Sequence, residues 1–194
     1  DVNSNPENPI INIRSFGEDP DAVAAMGVSF VRGLQEHGVV ATGKHFPGHG
    51  DTEVDSHLAL PITRVQRERM DSVELVPFRA AIDAGMRGMM SAHIAVPGLG
   101  GGFLPSTLSG EVLNDLLRTD LGFNGIVFTD AMDMSAVNRL YPRGEASVMA
   151  VLAGADVILM PPNVRQAIEA MLGAVADGRI AEARIDRSVI KLLR

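Results

Sequence analysis

One stretch carries an unusual density of groups that can hold or move a proton. Residues Lys44 to His57 read K-H-F-P-G-H-G-D-T-E-V-D-S-H, with histidines at 45, 49 and 57 and acids at 51, 53 and 55. Crowding that many titratable groups onto one loop costs stability through repulsion and lost hydration, so a chemical use is expected of them. Asp55-Ser56-His57 sets a carboxylate two residues before an imidazole, close enough to fix the ring's tautomer and raise its basicity. Lys44, His45 and, upstream, Arg14 can donate to hydroxyl or carbonyl oxygens of a polar ligand, or form ordinary ion pairs at a strand end. Asp130 closes the apolar run Gly125-Ile126-Val127-Phe128-Thr129, where a carboxylate meets low dielectric. It is either a reacting group or a cap for the turn at Ala131-Met132.

The elements that must position these groups alternate. Residues 1–9 are turn-formers without periodicity, and Ile10 to Ile13 read as a short extended piece delivering Arg14. Asp19-Pro20 reads as an N-cap followed by proline at the first helical position. Val23, Met26, Phe30, Val31 and Leu34 then keep a helical period up to Gly38. Strands are expected at 39–46, 87–92, 125–130 and 156–160. Helices are expected from Ser72 to Gly85, after a Ser109 cap through Leu117, near 144–152, and over 163–176 and 184–194. Strand, polar loop and helix in repetition mean a parallel sheet with helices packed outside it.

No G-x-G-x-x-G follows any strand, so a dinucleotide-binding open sheet has no support. The polar residues favour a TIM-like (β/α)8 barrel instead. Lys44-His45, His93 and Asp130 end successive strands, on the face where barrel active sites assemble. Four strands, or five with the piece at Ile10, cannot close such a barrel, and the chain opens abruptly on Asp1-Val2-Asn3. Roughly the last two thirds of a barrel is therefore expected, with further strands upstream. The loop from Gly48 to His57 is long for a βα connection and holds few large apolar residues, so it is expected to be a mobile flap.

Composition narrows the partners. A net charge of −7 argues against nucleic acid or an anionic membrane surface. The absence of cysteine excludes disulfides, thiolate metal sites and a cysteine nucleophile. No apolar run approaches the ~18 residues that span a bilayer, so no membrane insertion is expected. With 46% hydrophobic residues the chain can fill a core.

Taken together, K-H-F-P-G-H-G-D-T-E-V-D-S-H, R-S-F-G-E-D-P upstream and G-F-N-G-I-V-F-T-D-A-M-D-M downstream resemble glycoside hydrolase family 3, in its β-N-acetylglucosaminidase branch. The resemblance covers essentially the whole chain. It implies the C-terminal portion of an N-terminal catalytic barrel and retaining hydrolysis of terminal β-linked N-acetylglucosamine. Asp130 matches the nucleophile, His57 the acid/base histidine and Asp55 its orienting partner. Arg14, Lys44 and His45 match residues holding the sugar, and a further substrate-binding aspartate belongs upstream. Amino-sugar oligosaccharides or peptidoglycan fragments are the implied substrates, with no cofactor and no metal. Three alternatives remain: a β-glucosidase of the same family, a metal-dependent hydrolase using His45, His49, His57, Asp51 and Asp130, and a non-catalytic sugar-binding fragment.

Overall fold

The computed structural model describes residues 1–141 and 144–193. Its centre is a parallel sheet of three strands, β1 (Thr42–Phe46), β2 (Gly88–Ser91) and β3 (Ile126–Phe128), paired in the order β1-β2-β3. Each strand sends a fully buried apolar side chain into one core: Phe46, Met89 and Val127. The expected fourth strand is reduced to a single parallel bridge between Phe128 and Val157. Beyond Val157 the ladder passes to a side chain, since Leu159 N–H donates to Thr129 Oγ1 at 2.9 Å. Met160 then takes a left-handed φ of 45° and ends the run.

Helix α1 (Pro20–Glu36) begins as its sequence requires. The Asp19 side chain accepts from Ala22 N–H at 2.8 Å, with proline in the first turn. It ends in a Schellman turn: Gly38 takes φ 78°, its N–H donates to Gln35 O, and Val39 N–H returns to Leu34 O. That turn holds Val39 and Val40 out of the sheet, so β1 starts three residues later than the apolar run. α1 packs on α3 (Val76–Asp83) through Val23, Ala24 and Val31. Met26 and Phe30 stay exposed, because the apolar stripe is wider than the face α3 covers.

Two other expectations need correction. The segment Ile10 to Ile13 is not extended. Asn8 Oδ1 accepts from Ile10 and Ile11 N–H at 2.9 and 2.7 Å, which folds the chain into a 3-10 turn over Asn12–Arg14 and leaves Ile13 94% exposed. The helix expected from Ser72 to Gly85 is confined to α3, and a separate helix α2 (Arg67–Ser72) precedes it in a stretch where none was expected. Between the two helices Leu75 N–H turns back to Met70 O, Glu74 and Leu75 are buried in the break, and Pro77 sits in the first turn of α3, where its missing N–H costs nothing.

The remaining helices close the other side. Ser109 Oγ accepts from Val112 N–H ahead of a π-helix, Glu111–Asp120, which buries Val112, Leu113, Leu116 and Leu117. A short α4 (Ser135–Asn138), which the periodicity did not signal, follows β3. α5 (Glu145–Ala153), α6 (Val164–Ala176) and α7 (Glu182–Leu192) lie close to their expected spans; Arg194, the last residue of the 184–194 expectation, is outside the described residues. Among the described residues no helix is long and apolar enough to cross a membrane.

A buried carboxylate pins α7 and the π-helix to the amino end of the sheet. Asp156, its side chain 1% exposed, accepts from Val127 N–H at 3.0 Å, Arg118 at 2.6 Å, Ser188 Oγ at 2.6 Å and Lys191 Nζ at 3.1 Å. Burial pushes its pKa up, yet the net shift is downward, because Ser188, Val127 N–H, Arg118 and Lys191 all favour the carboxylate. Removing it strands partly buried cations. In the full-length protein, Asp156→Ala should cost about 3–5 kcal/mol in urea unfolding. A loss below about 1 kcal/mol would show that the network is dispensable.

Candidate active site

The polar groups gather at the carboxyl ends of the strands, and a bulge sets the first of them. From Gly43 to Phe46 β1 advances three residues while its partner β2 advances two, from Met89 to Ser91. Lys44 and His45 occupy that irregularity, which re-aims side chains out of the usual alternation. Lys44 is left exposed and His45 is buried.

A carboxylate that the sequence reading passed over holds the bulge. Asp1 accepts from His45 Nδ1 at 2.7 Å, from His45 N–H at 3.0 Å and from His49 N–H at 2.8 Å. On the far side of the ring, Arg14 Nη2 lies 3.2 Å from His45 Nε2. A guanidinium can only donate, so Nε2 accepts and the proton sits on Nδ1, facing Asp1. His45 is therefore neutral here. Burial depresses its pKa to about 3, the carboxylate of Asp130 opposes that fall, and Arg14 and Lys44 reinforce it.

His49 is a second buried, neutral imidazole. Thr52 Oγ1 donates to His49 O at 3.0 Å, so it accepts from His49 Nδ1–H at 2.7 Å. That leaves His49 Nε2 to accept from Ser56 Oγ at 2.9 Å. Burial lowers its pKa to about 4. Asn8 joins the loop to the N-terminal segment, donating to His49 O at 2.8 Å. A methyl on Gly50 would lie 1.6 Å from Val2 O, so only glycine allows that segment to pass. The root of the loop is thus fixed by polar contacts where the sequence promised no apolar anchor.

The outer end of the loop carries Asp55 and His57. Asp55 Oδ1 accepts from both the His57 backbone N–H and ring Nδ1, each at 2.7 Å. Burial pushes the Asp55 carboxyl up, but the two bonds from His57 and its charge bring it net below the usual range. A carboxylate acceptor fixes the proton of neutral His57 on Nδ1 and leaves Nε2 open. The His57 side chain is 58% exposed and that of Asp55 32%. His57 O accepts from Ser135 N–H at 3.4 Å, which ties this end to the segment after Asp130.

Asp130 is half-buried, its Oδ1 accepts from the adjacent Ala131 N–H at 2.8 Å, and among the described residues its second oxygen has no hydrogen-bond partner. Its charge raises the pKa of His45, His49 and His93 against burial. His93, fully buried, has its Nε2 3.0 Å from Ala131 O and its Nδ1 2.9 Å from Thr107 Oγ1. It therefore holds the backbone next to Asp130. As for metals, both ring nitrogens of His45 and of His49 are already engaged. Among the described residues no group of three or more His, Asp or Glu side chains is arranged to hold an ion.

With this geometry established, the chain can be set beside known proteins. The sequence profile of the glycosyl hydrolase family 3 N terminal domain matches residues 1–194. The chain belongs to that family. Beta-hexosaminidase A of Pseudoalteromonas piscicida is 40% identical over 85% of this chain and 29% of its own length. The beta-N-acetylglucosaminidase/beta-glucosidase of Cellulomonas fimi is 37% identical over 100% of this chain and 36% of its own. The structure of a glycoside hydrolase family 3 beta-N-acetylglucosaminidase from Paenibacillus sp. str. FPU-7 superposes with a TM-score of 0.97 at 50% identity, covering 100% of this chain and 37% of that one. The chain thus spans about a third of the length of these relatives. Its parallel sheet and outer helices are an arc of the TIM-like family 3 barrel.

Of the residues singled out from the sequence, the structure joins Arg14 to His45 and Asp55 to His57, and sets Asp130 within electrostatic reach of His45. Lys44 is exposed and, among the described residues, its side chain joins none of these contacts. Asp1 and Asn8 were missed because the segment 1–9 reads as turn-formers, with no pattern to mark a buried carboxylate.

The depressed histidines make stability depend on pH. His49 titrates near its ordinary 6.5 when unfolded and about 4 when folded. Above 6.5 neither state binds the proton. As pH falls from there towards 4 the unfolded chain takes it up first, so stability drops, by on the order of 3 kcal/mol for this group. Denaturation of the full-length protein between pH 7 and 4 should show a clearly shallower loss for His49→Gln than for wild type. Parallel curves would assign the acid sensitivity elsewhere.

Proposed function

We propose that the full-length protein is a retaining exo-glycosidase that removes terminal β-linked N-acetylglucosamine, or N-acetylhexosamine, from amino-sugar oligosaccharides or peptidoglycan fragments. The observation that carries this reading is the Asp55–His57 pair, with Asp55 Oδ1 2.7 Å from Nδ1 and Nε2 left open. The names of the related proteins support the substrate class. In this reading residues 1–194 are the C-terminal portion of a catalytic barrel. The strands that close it lie elsewhere in the protein.

The reaction is a double displacement. Asp130 attacks the anomeric carbon while protonated His57 passes its Nε2 proton to the departing oxygen. Water then attacks the glycosyl-aspartate, giving its proton to His57 as the Asp130 carboxylate leaves. Most retaining glycosidases place two carboxyls ~5–5.5 Å apart, so that one must be kept protonated beside a like charge. An imidazole avoids that repulsion, being neutral or cationic beside the Asp130 carboxylate. In this reading Arg14 and Lys44 donate to the sugar, and His45, braced by Asp1, completes that subsite by orienting Arg14.

Replacing Asp130 with Ala in the full-length protein should lower turnover of an aryl β-N-acetylglucosaminide by roughly 10³-fold or more. Azide should restore part of it, with an α-glycosyl azide as product. Unchanged activity would remove Asp130 from its role. His57→Gly should cost roughly 10²–10⁴-fold on alkyl glycosides. It should cost far less on dinitrophenyl glycosides, whose leaving group needs no proton. The double name of the Cellulomonas fimi relative also favours a second reading, hydrolysis of β-glucosides. Comparing kcat/KM for matched aryl N-acetylglucosaminide and glucoside decides between them.

A further inference from the structure

We infer that His49 is the positioning residue for the acid/base pair, acting through Ser56. This rests on the reading of Asp55 and His57 given above. Those two side chains are substantially exposed, so neither is held in place by packing. Between them sits Ser56, 1% exposed, whose hydroxyl is aimed inward at His49 Nε2 at 2.9 Å. The side chain that flanks both reacting residues is therefore fixed, although they themselves reach solvent.

The direction of each bond in this chain is set. Thr52 Oγ1 spends its proton on His49 O, so His49 must donate from Nδ1 and accept at Nε2. Only a neutral imidazole can do both, and burial keeps His49 neutral. Asn8 and Asp1 hold the His49 backbone, through its carbonyl and its N–H. The result is a continuous hydrogen-bonded path from the end of β1 to the peptide on either side of Ser56, which favours the loop conformation that offers His57 Nε2 to the leaving oxygen. A catalytic group misplaced by about 1 Å can lose on the order of 10²-fold in rate. His49 touches no reacting atom in this scheme; it acts through Ser56.

The test uses the full-length protein and three substitutions beside His57→Gly. Ser56→Ala removes the donor. His49→Asn is too short to reach Ser56, while His49→Gln can present an amide oxygen near the Nε2 position. kcat/KM reports the first displacement on both alkyl and dinitrophenyl N-acetylglucosaminides. Ser56→Ala and His49→Asn should lose roughly 10- to 100-fold on alkyl glycosides and less than about threefold on dinitrophenyl glycosides, with His49→Gln restoring most of the difference. Equal losses on the two substrates, or none, would overturn the inference. Circular dichroism checks folding, and if His49→Asn does not fold the Ser56→Ala result decides. If His57→Gly discriminates between leaving groups and Ser56→Ala does not, the role of His49 alone falls. If His57→Gly loses equally on both, the acid/base reading fails and this inference with it.

Discussion

A carboxylate withdrawn from water must recover its lost hydration from fixed donors, and Asp1 does so from three at once: His45 N–H, His45 Nδ1–H and His49 N–H. The rest of the site depends on that arrangement. It locks the tautomer of His45, which turns Nε2 into the acceptor that orients Arg14. It also clamps the first peptide of the loop that leads to Asp55 and His57. The segment 1–5 is held in turn by Asn5 N–H on Gly50 O and Asn3 N–H on Gly17 O, so the two loops that carry Arg14 and the histidines are stitched by one strip of chain.

Charge is distributed with a consistent logic at this end of the sheet. Three buried imidazoles lie within electrostatic reach of the half-buried Asp130, and burial lowers the pKa of each. Neutral rings such as those of His45 and His49 supply directed hydrogen bonds without setting a counter-charge beside the Asp130 carboxylate. The permanent positive charges, Arg14 and Lys44, sit on exposed side chains at the rim. At the opposite end, Asp156 gathers Arg118, Arg184 and Lys191 into a network that holds helices to the sheet. The carboxyl ends of the strands carry the candidate site and the amino ends a stabilising network, the division usual in barrels.

The loop from Gly48 to His57 shows how polar contacts can replace apolar anchoring. His49, Thr52 and Ser56 are buried and bonded to one another, while Glu53, Val54 and His57 face out. Directed hydrogen bonds to buried groups fix geometry more tightly than contact between apolar side chains, since each has one acceptable partner and angle. His57 and part of Asp55 face solvent while Ser56 between them is buried and bonded to His49.

Much of this was legible in the amino-acid sequence because it is local. The Asp19-Pro20 cap, the Gly38 stop, the apolar strands ending in Lys44-His45, His93 and Asp130, and the two-residue reach from Asp55 to His57 are near-neighbour relations that spacing reports directly. The motifs from Lys44 to His57 and around Asp130 likewise pointed to family 3, and the profile match bears that out. What the sequence could not supply is long-range. The bulge at Lys44-His45 arises from register with β2, the loss of the fourth strand from the bond between Leu159 and Thr129 Oγ1, and the break between α2 and α3 from the burial of Glu74 and Leu75. Asp1 and Asn8 lie 44 and 41 residues from their partners His45 and His49. No periodicity encodes such a distance. Whether a polar residue in a turn-rich segment faces water or supports a site is decided by what the folded chain lays against it.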